Sequence, residues 1–250
     1  MGRTEELVNL AKDLIDKAKA EGPNLRLLGG LAVYLNSPKG RTIETLKREY
    51  KDLDFVVNRK GVKGLSRIFN ENGLMEDKQF NALHGATRLL YYKGNEFQID
   101  VFIGVFEQCH KIDLEQRITM LPYTISLGDV FLTKIQIHKM NEKDVKDLLM
   151  FLIDHDFGLE NKVELNELEY ILSITSNDWG WYTTARDNLI LLKDFSKDYL
   201  TGKDYDRVQA VIGYIINAMD NAPKTLSWKM RSIIGRKMPW YDEPEEVRLE

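Results

Sequence analysis

The hydrophobic period of this chain changes once, near residue 126, and that change limits its architecture more than any other feature. Before it, strand patterns alternate with helical ones. Residues 25–28, 52–58, 87–92 and 97–103 read as strands, with a further short strand expected at 122–125. Helical spacing covers 4–21, where Leu7, Leu10, Ala11, Leu14, Ile15 and Ala18 form a stripe that ends at Gly22-Pro23. It returns at 31–36 and 61–72, and Lys93-Gly94-Asn95 reads as a hairpin turn. After residue 126 only helical periods remain, over 127–138, 143–155, 163–176, 181–199, 205–219 and 225–235. This order predicts an α+β region, a mixed sheet flanked by helices, at 1–126, followed by an all-helical domain at 127–250.

At 250 residues, 43% hydrophobic and 30% charged, the chain can bury an ordinary core. A net charge of −4 speaks against a broad basic face for nucleic acid. The single cysteine, Cys109, excludes an internal disulfide and, with only four histidines, a zinc-finger cluster. No apolar run approaches the ~18–20 residues of a membrane span, and charges interrupt the N-terminal stretch too often for a signal peptide. A cytoplasmic protein with no membrane partner is expected.

The candidate chemistry begins at Asp52-Leu53-Asp54. Strand side chains alternate, so Asp52 and Asp54 share a face, about 6.5–7 Å apart. Like charges at that spacing repel, and a divalent cation relieves them. On the strand 97–103, Ile99, Val101 and Ile103 share one face, which puts Asp100 on the other with Gln98 and Phe102. If the two strands are neighbours, Asp100 comes within about 5 Å of the pair. Three carboxylates on one face make a hard oxygen site suited to Mg²⁺. Gly29-Gly30, between a strand and a helix, can offer backbone N–H groups and a helix N-terminus to a phosphate.

A glycine pair, Asp-x-Asp on a strand and a lone Asp on a later strand resemble the DNA polymerase β-like nucleotidyltransferase superfamily. Residues 127–149 add a likeness to the D-x-x-x-x-K and K-D-x-x-D segments of AbiEii-type toxins and small-molecule nucleotidyltransferases, through Asp129, Lys134, Lys143, Asp144 and Asp147. The resemblance implies the nucleotidyltransferase fold. It implies two Mg²⁺ ions, with Mn²⁺ as an alternative, on Asp52, Asp54 and Asp100. It also implies an NTP donor, a hydroxyl acceptor and pyrophosphate as leaving group. Asp100 would assist the acceptor, while Gly29, Gly30, Lys134 and Asp144 would serve the nucleotide. The chain departs from the family in having Gly30 where serine is common, and in the long gap between Gly30 and Asp52.

Several residues admit two readings. Lys134 lies on an apolar stripe and must meet an anion, either the triphosphate or Asp144 or Asp147. Arg41, Lys47, Arg48 and Lys51 either close over a nucleotide or form a solvated basic loop. Arg88 is expected at a solvated rim. Cys109-His110 reads as a buried, inert pair, and Asp156-Phe157-Gly158 as a chance likeness to a kinase motif. All four tryptophans fall in the helical half, where they are expected to fasten helices, with stacking on a planar ligand as the rarer use. The acceptor is a small molecule or an RNA end, and the acidic net charge does not point to RNA. The rival class is a non-catalytic protein of the same fold that binds a nucleotide or a partner.

Overall fold

The structure, a computed structural model, describes residues 2–94 and 96–243. The chain forms two compact units. The first comprises residues 1–35, 48–106 and 112–130, and the second residues 36–47, 107–111 and 131–250. The basic loop after Asn36 therefore belongs to the second unit through Lys47, and Arg48 returns the chain to the first.

The first unit is built on a five-stranded mixed sheet. Its strands are β1 (Leu25–Leu28), β2 (Leu53–Val57), β3 (Met75–Glu76), β4 (Arg88–Lys93) and β5 (Phe97–Ile103), in the spatial order β1-β2-β5-β4-β3. β2 and β5 run parallel, with Asp54 opposite Asp100, and every other pairing is antiparallel. The β4–β5 hairpin has the expected register, Arg88 opposite Phe102 through Lys93 opposite Phe97, although Asn95 in its turn lies outside the described residues. Helix α1 (Arg3–Glu21) buries Leu7, Ala11, Leu14, Ile15 and Ala18, packs against β1 and α3 (Val62–Glu71), and stops where Gly22 turns left-handed at φ 108°. Phe69 of α3 lies between Phe55 of β2 and Tyr91 of β4, which makes that face of the sheet the core face. Helix α2 (Gly29–Asn36) follows β1 directly.

Several short elements escape the sequence reading, among them the two-residue strand β3. The helix α4 (Lys78–His84) buries no residue and so leaves no apolar period; it is held by the Asp77 cap, whose carboxylate accepts from the Phe80 N–H. A small ribbon, β6 (Val105–Glu107) with β7 (Lys111–Asp113), is too short to show alternation. The strand expected at 122–125 is reduced to a single parallel bridge between Leu27 and Thr124.

The second unit is helical, as the periodicity predicts. It includes α6 (Glu142–Asp154), α7 (Leu165–Asn177), α8 (Trp179–Tyr199), α9 (Gly202–Asn221) and α10 (Leu226–Ile234), with α5 (Leu127–Ile135) spanning the division between units. Asn141 and Asp144 form a reciprocal capping box at the start of α6. No helix among the described residues is long and apolar enough to cross a membrane.

Candidate donor site on the first unit

The strand β2 begins at Leu53, so Asp52 lies just before it and is exposed, while Asp54 sits inside the strand and is half-buried. Asp54 is flanked by Leu28 of β1 and Asp100 of β5. Leu28 leads directly into Gly29, whose backbone is left-handed at φ 67°. A Cβ on Gly29 would overlap Asp54 Oδ2, so the glycine is required both by its conformation and by the carboxylate lying against it. A Cβ on Gly30 would likewise overlap the Arg48 guanidinium. That guanidinium is stacked on the Tyr50 ring, 3.9 Å from its centroid, and Tyr50 meets Tyr34 of α2 edge-on at 5.5 Å. The result is a glycine pair at a helix start, with a carboxylate on one side and a cation on the other.

Asp100 is placed as expected on the face of Gln98 and Phe102, opposite the core face, but its surroundings differ from the expectation. It is 4% exposed. Arg88 Nε donates to its Oδ1 at 2.7 Å, and Gln98 Nε2 donates to its Oδ2 at 2.7 Å. Arg88 is therefore not a solvated rim residue. The register puts it on the same face two pairs along, opposite Phe102, and a buried carboxylate in the sheet requires a counterion. Among the described residues no three His, Cys, Asp or Glu side chains converge to hold a metal by themselves. The expected three-carboxylate cage is thus not formed. With Asp100 taken up by Arg88 and Gln98, Asp52 and Asp54 are left as the carboxylates that could hold a divalent cation, a number Mg²⁺ accepts when phosphates and water complete its shell.

Within residues 127–149 the charged side chains pair with neighbouring groups. Asp129 is fully buried and accepts from Arg117 Nε at 2.9 Å and from the Ser126 hydroxyl at 2.8 Å. In the second unit Lys134 Nζ lies 2.7 Å from Asp147 and 3.3 Å from Asp144. Of the two anions foreseen for Lys134, the structure supplies the carboxylates. Asp144 is engaged twice, by Lys134 and by the α6 cap.

Cys109 and His110 are both buried. Burial pushes the Cys109 thiol up and the His110 imidazole down to about 4, so neither is charged near neutrality. His110 Nε2 is 2.8 Å from the Thr184 hydroxyl, and its ring packs on Trp181. Asp156 accepts from the N–H groups of Gly158, Glu160 and Asn161, the role of a loop cap rather than of a metal ligand.

No family model matches the chain, and no curated protein matches it. Among solved structures it is distantly similar to JHP933 from Helicobacter pylori, at 13% identity over 92% of this chain and 95% of that one, with a TM-score of 0.39. It is similar also to an H. pylori protein provisionally described as a nucleotidyltransferase, at 14% identity over 89% of this chain and 97% of that one, with a TM-score of 0.40. Likenesses of this degree carry no argument about chemistry.

Proposed function

We propose that the first unit is the donor-binding part of a metal-dependent nucleotidyltransferase. The observation that carries this reading is the contact of Asp54 with Gly29, which joins a strand carboxylate to the start of α2. In this reading Gly29 and Gly30 present backbone N–H groups to the phosphates of an NTP. Arg48, fixed over Tyr50 beside Gly30, neutralises phosphate charge. Asp52 and Asp54 hold Mg²⁺, or Mn²⁺, with the remaining ligands coming from the nucleotide and water. When bound, such an ion polarises the phosphoryl oxygens and favours attack by a hydroxyl with pyrophosphate as leaving group. Asp100 is held by Arg88, and it joins the metal site only by exchanging Arg88 for the ion. Lys134 falls outside this reading, since Asp144 and Asp147 already meet its charge.

The Arg88–Asp100 pair favours a second reading, a protein of this architecture that binds a nucleotide or a partner without turnover. The two readings separate in one experiment. Each NTP is titrated calorimetrically with Mg²⁺ into the wild type and into an Asp52→Ala/Asp54→Ala variant, and pyrophosphate release is followed in parallel. Metal-dependent binding with pyrophosphate release, both lost in Asp54→Asn, supports transfer to a hydroxyl. Binding without release supports the non-catalytic reading, and absence of binding to the wild type overturns the donor site itself.

A further inference from the structure

All four tryptophans of the chain line one cavity of about 530 Å³ that belongs wholly to the second unit. Trp181 is covered by its neighbours, as a structural tryptophan normally is, whereas Trp179, Trp228 and Trp240 are only half-buried. Here Trp179 and Trp240 meet edge-on at 6.2 Å, and Tyr241 continues the wall at 5.3 Å from Trp240. Trp240 is pinned by its indole N–H, which donates to the Thr184 hydroxyl at 3.2 Å. The Trp228 ring also lines the cavity, but its indole N–H is buried and without a hydrogen-bond partner, so it faces the protein rather than the open space.

The cations around the cavity are already occupied. Arg231 donates to the carbonyls of Gly235, Met238 and Pro239 and covers the Trp179 ring, and Lys111 pairs with Glu107. Two carboxylates line it: Asp178 caps α8 by accepting from the Trp181 N–H at 2.9 Å, and Asp242 is exposed at the rim. The volume falls within the ~300–1,000 Å³ of small-molecule sites. Aromatic walls select a flat ring, and a carboxylate at their edge selects one with neighbouring N–H donors.

From this we infer that the tryptophan-lined cavity of the second unit is a binding site for a nucleobase with a donor edge, a guanine above all. Guanine presents an imino N–H beside an amino group, which a single carboxylate accepts together, and a carbonyl next to them. Uracil offers one donor only. The inference does not depend on the donor site of the first unit, and it holds whether the base belongs to a free nucleoside or to the end of a strand.

Because every tryptophan is at the cavity, tryptophan emission of the full chain reports its occupancy. Guanosine, adenosine, cytidine and uridine are titrated without Mg²⁺, with excitation at the red edge of tryptophan absorption. The expected result is saturable quenching with guanosine binding tightest and uridine weakest. Asp242→Asn is expected to weaken guanosine about tenfold, the loss of one carboxylate–base contact, and the Asp52→Ala/Asp54→Ala variant is expected to bind as the wild type does. Circular dichroism of each variant checks that it is folded. A short RNA ending in guanosine distinguishes the source: tighter binding than guanosine assigns the cavity to a strand end, and equal binding to a free nucleoside. No saturable quenching by any nucleoside at millimolar concentration overturns the inference. So does quenching that survives Asp242→Asn but vanishes in the Asp52→Ala/Asp54→Ala variant, which would move the base to the first unit.

Discussion

Asp54 fills the space that a side chain on Gly29 would need: its Oδ2 lies where a Cβ would stand, at a backbone held at φ 67°. The identity of one residue is thereby imposed by the carboxylate of another, across the β1–β2 pairing.

Gly29→Ala is expected to destabilise the first unit by about 1–2 kcal/mol from the left-handed backbone alone, and to displace Asp54. Gly30→Ala carries no left-handed backbone cost and meets the Arg48 guanidinium and the edge of the Tyr50 ring instead, so its cost is expected to be smaller. Urea unfolding of both variants measures the difference. If Gly29→Ala proves no less stable than Gly30→Ala, the close approach of Asp54 is not a constraint.

Arg88→Met leaves Asp100 buried without its counterion, and the expected cost is about 3–5 kcal/mol, as for other broken buried pairs. Asp100→Asn in the same chain is expected to restore much of it, because the neutral amide needs no charge partner. A double-mutant cycle by chemical unfolding reads the coupling, and additivity of the two changes would show that the pair contributes nothing.

Lys134→Met exposes the same logic in the second unit, with two carboxylates left behind at 13% cation exposure. A loss of about 3 kcal/mol or more is expected, with partial recovery on adding Asp147→Leu. Unchanged thermal stability in Lys134→Met would return Lys134 to the role of a phosphate ligand.

His110 gives the second unit a pH dependence of definite sign. Its folded pKa is lowered by burial to about 4, below the unfolded value near 6.5, so the unfolded chain binds the extra proton between those limits. Its contribution is complete above about pH 6.5 and is lost as the pH falls toward 4, amounting to roughly 3 kcal/mol by linkage. Urea midpoints from pH 4 to 7 are expected to rise more steeply for the wild type than for His110→Phe. Parallel curves would place the titration elsewhere.

The elements with a clear period were legible from the sequence: α1, the β4–β5 hairpin and the run of helices after residue 126. Alternation also fixed the face of Asp100, but its place opposite Asp54 depended on the pairing of β2 with β5, which the sequence left as a condition. Arg88 was not legible as the partner of Asp100. Its position depends on the register of β4 against β5, and nothing local distinguishes a strand arginine facing solvent from one facing a buried acid. The α4 helix was missed because it buries no residue, so no stripe marks it. Lys134 was read correctly as needing an anion, but sequence cannot say which anion arrives, and Asp144 and Asp147 were within one turn of each other on the next helix.

The parallel pairing of β2 with β5 has a consequence for the order in which this protein matures. Asp54 and Asp100 cannot be brought together by a local hairpin, since the chain must leave the sheet through α3 and return by way of β3, α4 and β4 before β5 settles beside β2. Closing so long an excursion is entropically costly and slow. A chain still emerging from the ribosome therefore carries Gly29, Asp52 and Asp54 well before Asp100 can join them, and a ligand that needs the finished sheet rewards only the last step of folding rather than templating the first.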